Sequence, residues 1–173
     1  MNVVFISPHF PLYFHNFCSR LKQRNVNVLG IIDTDYQNIS QETKNSLTDC
    51  YCVNSLDNYD EVYRAVAYFI SKYGRIDFIE SQNEYWLEME AKLRDDFNIV
   101  HGTRFNDLSW MKYKSKMKQV FFKAGVNVAR YCLVNSFEEV KAFIEKVGYP
   151  VVVKPDNGVG ASSTYKLNNY QDL

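Results

Sequence analysis

Apolar and polar positions fall in alternating blocks along this chain. Residues 3–6 form a short apolar run stopped by Ser7-Pro8, the pattern of a buried strand. Between residues 11 and 25, Phe14, Phe17, Cys18 and Leu21 recur at helical spacing. Arg20, Lys22 and Arg24 fall at the end of that stretch, where cations suit the helix dipole. A second strand is predicted over 26–32, broken by Asp33-Thr34-Asp35, and a weaker third over 50–53. Asn58 with Glu61 three residues on marks a helix start; Val62, Val66, Phe69 and Ile70 form its apolar face, and Gly74 closes it. A fourth strand follows over 76–79, then a helix over 84–95, then a short fifth strand at 99–100 ending at Gly102.

Strands alternating with helices of this length indicate βαβ units. Nearly continuous apolar strands indicate a parallel sheet covered on both faces. Residues 1–105 are therefore expected to form a doubly wound α/β domain. Ligands of such sheets sit beyond the carboxyl ends of the strands, here near Ser7-Pro8-His9, Asp33-Thr34-Asp35, Glu80-Ser81-Gln82 and Gly102-Thr103.

The pattern changes after about residue 107. A basic helix is predicted over 113–123 with Met117, Val120 and Phe121 inward, ending at Ala124-Gly125. A strand is predicted over 130–134. Ser136 and Glu139 make a capping box for a helix whose stripe is Val140, Phe143, Ile144 and Val147, with Gly148 and Pro150 at its end. A strand at 151–154, a turn-rich loop at 156–163 and a returning strand at 164–167 complete a β-α-β-loop-β order. Residues 169–173 resemble the start of a helix, so the chain is expected to be a fragment of a longer protein.

Composition narrows the class. The 173 residues carry 20 Lys+Arg and 20 Asp+Glu, and this balance without a basic block argues against a general nucleic-acid binder. No apolar run approaches the ~18 residues of a transmembrane helix, and the N-terminus lacks the basic and apolar regions of a signal peptide. The expectation is a cytoplasmic protein without a membrane partner. Cys18, Cys50, Cys52 and Cys132 do not suggest a disulfide framework, and Cys50-x-Cys52 has the wrong spacing for a zinc knuckle or a redox pair. All four are expected to be reduced packing residues.

The loop after Lys154 carries the chemistry. Small residues at 158 and 160–163 let backbone N–H groups converge on one point, and a lysine at the end of the preceding strand supplies charge for the same phosphate oxygens. A polar hairpin with a solvated lysine is the plain alternative. The loop is one of several features in order: Lys114, Ala124-Gly125-Val126, Tyr149-Pro150-Val151-Val152-Val153-Lys154-Pro155, and Gly158-Val159-Gly160-Ala161-Ser162-Ser163. This series resembles the ATP-grasp superfamily of carboxylate–amine ligases, including biotin carboxylase and the amino-acid ligases. Lys114 stands ten residues before Ala124, as the first ATP lysine does in biotin carboxylase.

The resemblance implies a Rossmann-like preATP-grasp domain over 1–105 and the first, incomplete part of an ATP-grasp α+β lobe over 106–173. It implies ATP bound by Lys114, Lys154 and the flap residues Gly158, Val159, Gly160, Ala161, Ser162 and Ser163. Mg²⁺ is implied too, with its ligands in a later lobe and no metal ligand here. The implied activity joins a small-molecule carboxylate to an amine through an acyl phosphate, in the intact protein and not in this part alone. A homodimer driven by exposed apolar surface is allowed.

Glu84 and His9 are the substrate-side candidates. The favoured reading of Glu84 alone is a helix N-terminal carboxylate held by the dipole. His9 and His15 lack a third partner for a metal. Asp33 and Asp35 stand where dinucleotide enzymes place a ribose-binding acid, but no Gly-x-Gly-x-x-Gly turn precedes them, so solvated turn residues are expected. Lysines 112, 116, 118 and 123 are expected to form one wet helix face. Two other classes stay open: a non-catalytic nucleotide- or metabolite-binding regulatory module, and an NAD-dependent oxidoreductase suggested by the α/β opening alone.

Overall fold

The computed structural model describes residues 1–158, 160 and 162–173. The chain divides into two compact units, Met1–Phe105 and Asn106–Leu173.

The first unit holds a four-stranded parallel sheet in the order β3-β2-β1-β4. Its strands are β1 (Asn2–Ile6), β2 (Asn27–Ile32), β3 (Asp49–Cys52) and β4 (Phe78–Glu80). Its helices are α1 (His15–Lys22), α2 (Gln41–Ser46), α3 (Tyr59–Tyr73) and α4 (Leu87–Asp96). The unbroken apolar character of β1 follows from burial on both faces. Val4 and Ile6 pack with Leu29 and Ile31 against Val62, Ala65, Val66 and Phe69 of α3 and Leu93 of α4. Val3 and Phe5 point the other way, onto Phe14, Cys18, Val28 and Leu47. Gly30 lies on that second face, where a Cβ would stand 2.7 Å from Leu47 Cδ1. Asn2 is also buried: its side chain donates to Tyr73 O (2.8 Å) and Arg75 O (2.9 Å) and accepts from Asn27 Nδ2.

Local chemistry sets the helix ends. Asn58 caps α3 by accepting from the Asp60 and Glu61 amides, and Gly74 ends it at φ +80°. Two stretches predicted as single helices open with a 3-10 turn, at Leu12–Phe14 before α1 and Glu84–Trp86 before α4. Helix α2 was not expected, because its sequence QETKNS has no apolar stripe; Ser40 starts it by accepting from the Thr43 amide. The strand expected at 99–100 is absent. Asn98 takes a left-handed conformation (φ 50°), its amide donates to Asp95 O (3.1 Å) and that of Ile99 to Arg94 O (2.8 Å). This is a Schellman stop for α4, and Ile99 is apolar because it plugs the core behind that stop.

The second unit holds α5 (Phe105–Lys112, beginning at the last residue of the first unit), α6 (Lys114–Lys123) and α7 (Phe137–Val147). It also holds β5 (Val151–Val153) paired antiparallel with β6 (Tyr165–Leu167), Val152 opposite Lys166. Ser136 caps α7 by accepting from the Glu139 amide, while Glu139 answers on the Asn135 amide. The Ala124-Gly125-Val126 turn is a second Schellman stop, with Gly125 at φ +75° and the Val126 amide donating to Phe121 O (2.9 Å). No ladder forms over 130–134 among the described residues; Leu133 and Val134 are about half exposed there. Val120 and Phe121 do not point inward as expected. Both are more than two-fifths exposed, and α6 instead buries Ser115. All four cysteines are free, as expected, but Cys52 and Cys132 are exposed rather than buried packing residues.

Candidate functional site

Within the second unit, the start of α6 and the loop after β5 are tied together. The Lys114 amide donates to Asp156 O (3.0 Å), and its Nζ donates to Gly158 O (2.8 Å). The next residue adds two bonds: the Ser115 amide donates to Asp156 Oδ1 (2.7 Å) and its hydroxyl to Asp156 Oδ2 (2.6 Å). Helix α6 needs this help. Its N-cap residue, Tyr113, gives no side-chain cap, and no acidic residue lies in its first turn. Lys112, Lys114 and Lys116 instead crowd the positive end of the dipole, an arrangement favourable only beside negative charge.

Lys118, one turn along α6, donates to Ala129 O (3.0 Å) and lies 4.7 Å from the Tyr131 ring centre. Burial pushes its ammonium pKa down, and the charge of Lys154 pushes it the same way. Lys118 and Lys154 therefore sense each other, and Lys118 does not belong to a wet helix face. Lys116 also lies over the Trp110 and Tyr113 rings, while Lys123 is exposed as expected. Residues 106–173 carry ten Lys and Arg against six Asp and Glu, a net charge of +4, while residues 1–105 carry ten against fourteen. The neutral total thus hides a basic unit suited to a polyanion.

Within the loop, Gly160 (φ +66°) and Ser163 (φ 53°) are left-handed. Lys154 is exposed at the end of β5. Of the predicted flap residues, Gly158, Gly160, Ser162 and Ser163 lie within the described residues, and Val159 and Ala161 lie outside them. These cations fit nucleotide phosphates. For Mg²⁺ the fit is different: among the described residues no group of three or more His, Cys, Asp or Glu could hold a metal ion.

In the first unit the carboxyl ends of the strands bring other candidates together. His9 Nε2 pairs with Asp33 Oδ1 at 3.1 Å, so Asp33, an exposed turn residue as expected, is also the partner of His9. Burial pushes the His9 imidazole pKa down, against the opposing pull of Asp33, and His9 Nδ1 is buried without a partner among the described residues. Glu84 is exposed and opens the 3-10 turn that Asn83 caps. His101 stacks on Phe78 with ring centres 4.6 Å apart.

A buried group that sequence reasoning did not single out lies below this rim. Arg94 is 3% exposed and donates to Ile79 O (2.5 Å), Glu90 Oε2 (2.9 Å) and Glu80 Oε1 (3.3 Å). The other Glu90 oxygen accepts a short bond from the Ser81 hydroxyl, which also meets the Asn83 backbone. Burial raises the Glu90 pKa to about 7 despite Ser81 and Arg94. The i, i+4 spacing of Glu90 and Arg94 was a visible signal, but it usually marks an exposed helix pair.

No family model matches the chain. The L-arginine-specific L-amino acid ligase of Bacillus subtilis is 34% identical over 115 residues, which is 65% of this chain and 28% of that protein. The crystal structure of an L-amino acid ligase from Bacillus licheniformis superimposes with a TM-score of 0.69 at 19% identity, covering 99% of this chain and 40% of that one. A biotin carboxylase from Campylobacter jejuni, solved as a β,γ-ATP complex, gives 0.77 at 21% identity, covering 99% and 39%. The two structures establish the shared fold. The chain spans well under half the length of each of these proteins. The homologues of this chain are ATP-grasp carboxylate–amine ligases, and the chain matches only part of their length.

Proposed function

We propose that this chain supplies the nucleotide-phosphate site of an ATP-dependent ligase that activates a small carboxylic acid as an acyl phosphate for attack by an amine. The observation that carries the reading is the contact of Lys114 Nζ with Gly158 O, which sets an α6 lysine on the glycine loop at 2.8 Å. Lys114 and Lys154 neutralise phosphate charge, and Gly158, Gly160, Ser162 and Ser163 of the loop offer backbone amides to the phosphate oxygens. Residues 1–105 act as the preATP-grasp domain, with His9 and Glu84 at the rim facing substrate, and residues 106–173 as the first part of the ATP lobe.

In the reaction an oxygen of the substrate carboxylate attacks the terminal phosphorus of ATP, and the bond from that phosphorus to the ADP oxygen breaks. The amine then attacks the acyl carbon, phosphate leaves, and the amine gives up a proton. The chain's residues bind, neutralise and exclude water; they form no covalent bond. No step is assigned to Mg²⁺ on these residues. Among the described residues no helix is long and apolar enough to cross a membrane, and a cytoplasmic location fits the chemistry proposed.

Lys154→Ala in the full-length protein is the test. Loss of a phosphate-neutralising lysine is expected to slow ATP turnover by about a hundredfold or more. Unchanged turnover would remove Lys154 from the site and the reading with it.

A further inference from the structure

Helix α6 begins without a cap of its own and with cations at its positive end, yet it presents Lys114 at a fixed place on the loop. The group that permits this comes from 41 residues further along the chain. We propose that Asp156 is a positioning residue, clamping the start of α6 to the phosphate loop so that Lys114 and the loop meet a nucleotide as one preset unit. This inference rests on the nucleotide-phosphate reading above.

Three bonds make the clamp. Asp156 accepts from the Lys114 amide through its backbone carbonyl, and from the Ser115 amide and hydroxyl through its two carboxylate oxygens. Ser115 is 5% exposed, so neither of its donors has ready access to water. The carboxylate thus performs an N-cap's task from a distant loop and adds negative charge where Lys112, Lys114 and Lys116 oppose the dipole. The Lys114 Nζ bond to Gly158 closes a ring running from Lys114 through Ser115, Asp156 and Gly158 back to Lys114. Tyr131 Oη, donating to Ser115 O at 3.3 Å, braces the same residue from a third segment. An ammonium on a long flexible stem loses conformational freedom when it binds phosphate. A clamp that fixes its backbone and its carbonyl partner lowers that cost before the nucleotide arrives.

Asp156 touches no reacting atom in this scheme, so its signature is in nucleotide binding and in rescue. Asp156→Ala, Asp156→Asn and Ser115→Ala are made in the full-length protein. Two quantities are read: amide hydrogen exchange at residues 114 and 115 without nucleotide, and the Kd for ATP. Asp156→Ala is expected to speed exchange at both amides and weaken ATP binding about tenfold, the scale of a lost helix cap. Asp156→Asn keeps an acceptor for the Ser115 amide and is expected to restore most of both. Ser115→Ala removes only the hydroxyl bond and is expected to fall between. If Asp156→Ala leaves both amides as protected as before, the clamp does not exist. If the amides loosen but the Kd stays within twofold, the clamp is structural only, and the positioning role is overturned while the nucleotide reading stands. If the unmodified protein binds no ATP, the nucleotide reading fails and takes this inference with it.

Discussion

Glu90 lets the buried electrostatics of the first unit be tested by pH alone. Its carboxyl lies 2% exposed between Ser81 and Arg94, with Glu80 close by as a second negative charge. Burial is the main cause that lifts its pKa from 4.5 to about 7, and Glu80 adds to the rise; Ser81 and Arg94 only partly offset it. The folded protein therefore holds a proton on Glu90 at pH values where the unfolded chain has released it. A group with a raised native pKa lowers stability as pH climbs from the unfolded value to the folded one. At about 1.4 kcal/mol per pH unit, the window from 4.5 to about 7 amounts to roughly 3 kcal/mol lost from Glu90 alone. Glu80, whose pKa burial also raises, acts in the same direction; His9, whose pKa is lowered, acts in the opposite one. The difference between two proteins isolates Glu90. Urea unfolding of the wild type and of Glu90→Gln at half-unit steps from pH 4.5 to 8 is the assay. The wild-type curve is expected to fall relative to the variant by about 3 kcal/mol across that span and to run parallel above it. A difference flat from pH 5 to 7.5 would mean that Arg94 keeps Glu90 ionised throughout, and the desolvation argument would be wrong.

Two further outcomes follow from the same unit. Gly30→Ala places a Cβ 2.7 Å from a Leu47 methyl and 3.1 Å from Pro8 Cγ, and is expected to destabilise by about 1–3 kcal/mol in urea unfolding, the scale of an overpacked core. Asp33→Ala removes the charge and bond that support protonated His9 against burial. The His9 imidazole midpoint, followed by NMR, is expected to move further down; an upward move would show that Asp33 is not its controlling partner.

Much of the first unit was legible because its signals are local. Asn58, Glu61 and Gly74 bound α3 within a residue of expectation, and the paired apolar faces of 3–6 and 26–32 required a covered parallel sheet. Ser136 and Gly148 did the same for α7 in the second unit. The misses came where one pattern serves two ends. Ile99 is apolar to plug a helix stop, and 130–134 has strand-forming residues without a pairing strand among the described ones. At the candidate site, motif order drew attention to Lys114 and the glycine loop, which the fold brings into contact. It gave no hint of Asp156, His9–Asp33 or Ser81–Glu90. Those pairs join positions 41, 24 and 9 residues apart and leave no periodic trace.

The sheet order also governs when this protein can fold. β1 is made before the other three strands of its sheet, yet it lies inside the sheet, with β2 on one side and β4 on the other. Its pairing with β4 joins Val3 to Phe78, and the bonds of Asn2 to Tyr73, Arg75 and Asp77 span 71 to 75 residues. On a ribosome, the opening strand waits until residue 80 has cleared the exit tunnel before both its edges are covered. At roughly 5–20 residues per second that wait lasts several seconds. During it, Val3 to Ile6 carry one open edge in a nascent chain already able to pair with β2. The last strand of the first unit to appear is thus what shields its beginning, and an arrest of synthesis between β3 and β4 leaves that apolar strand edge uncovered.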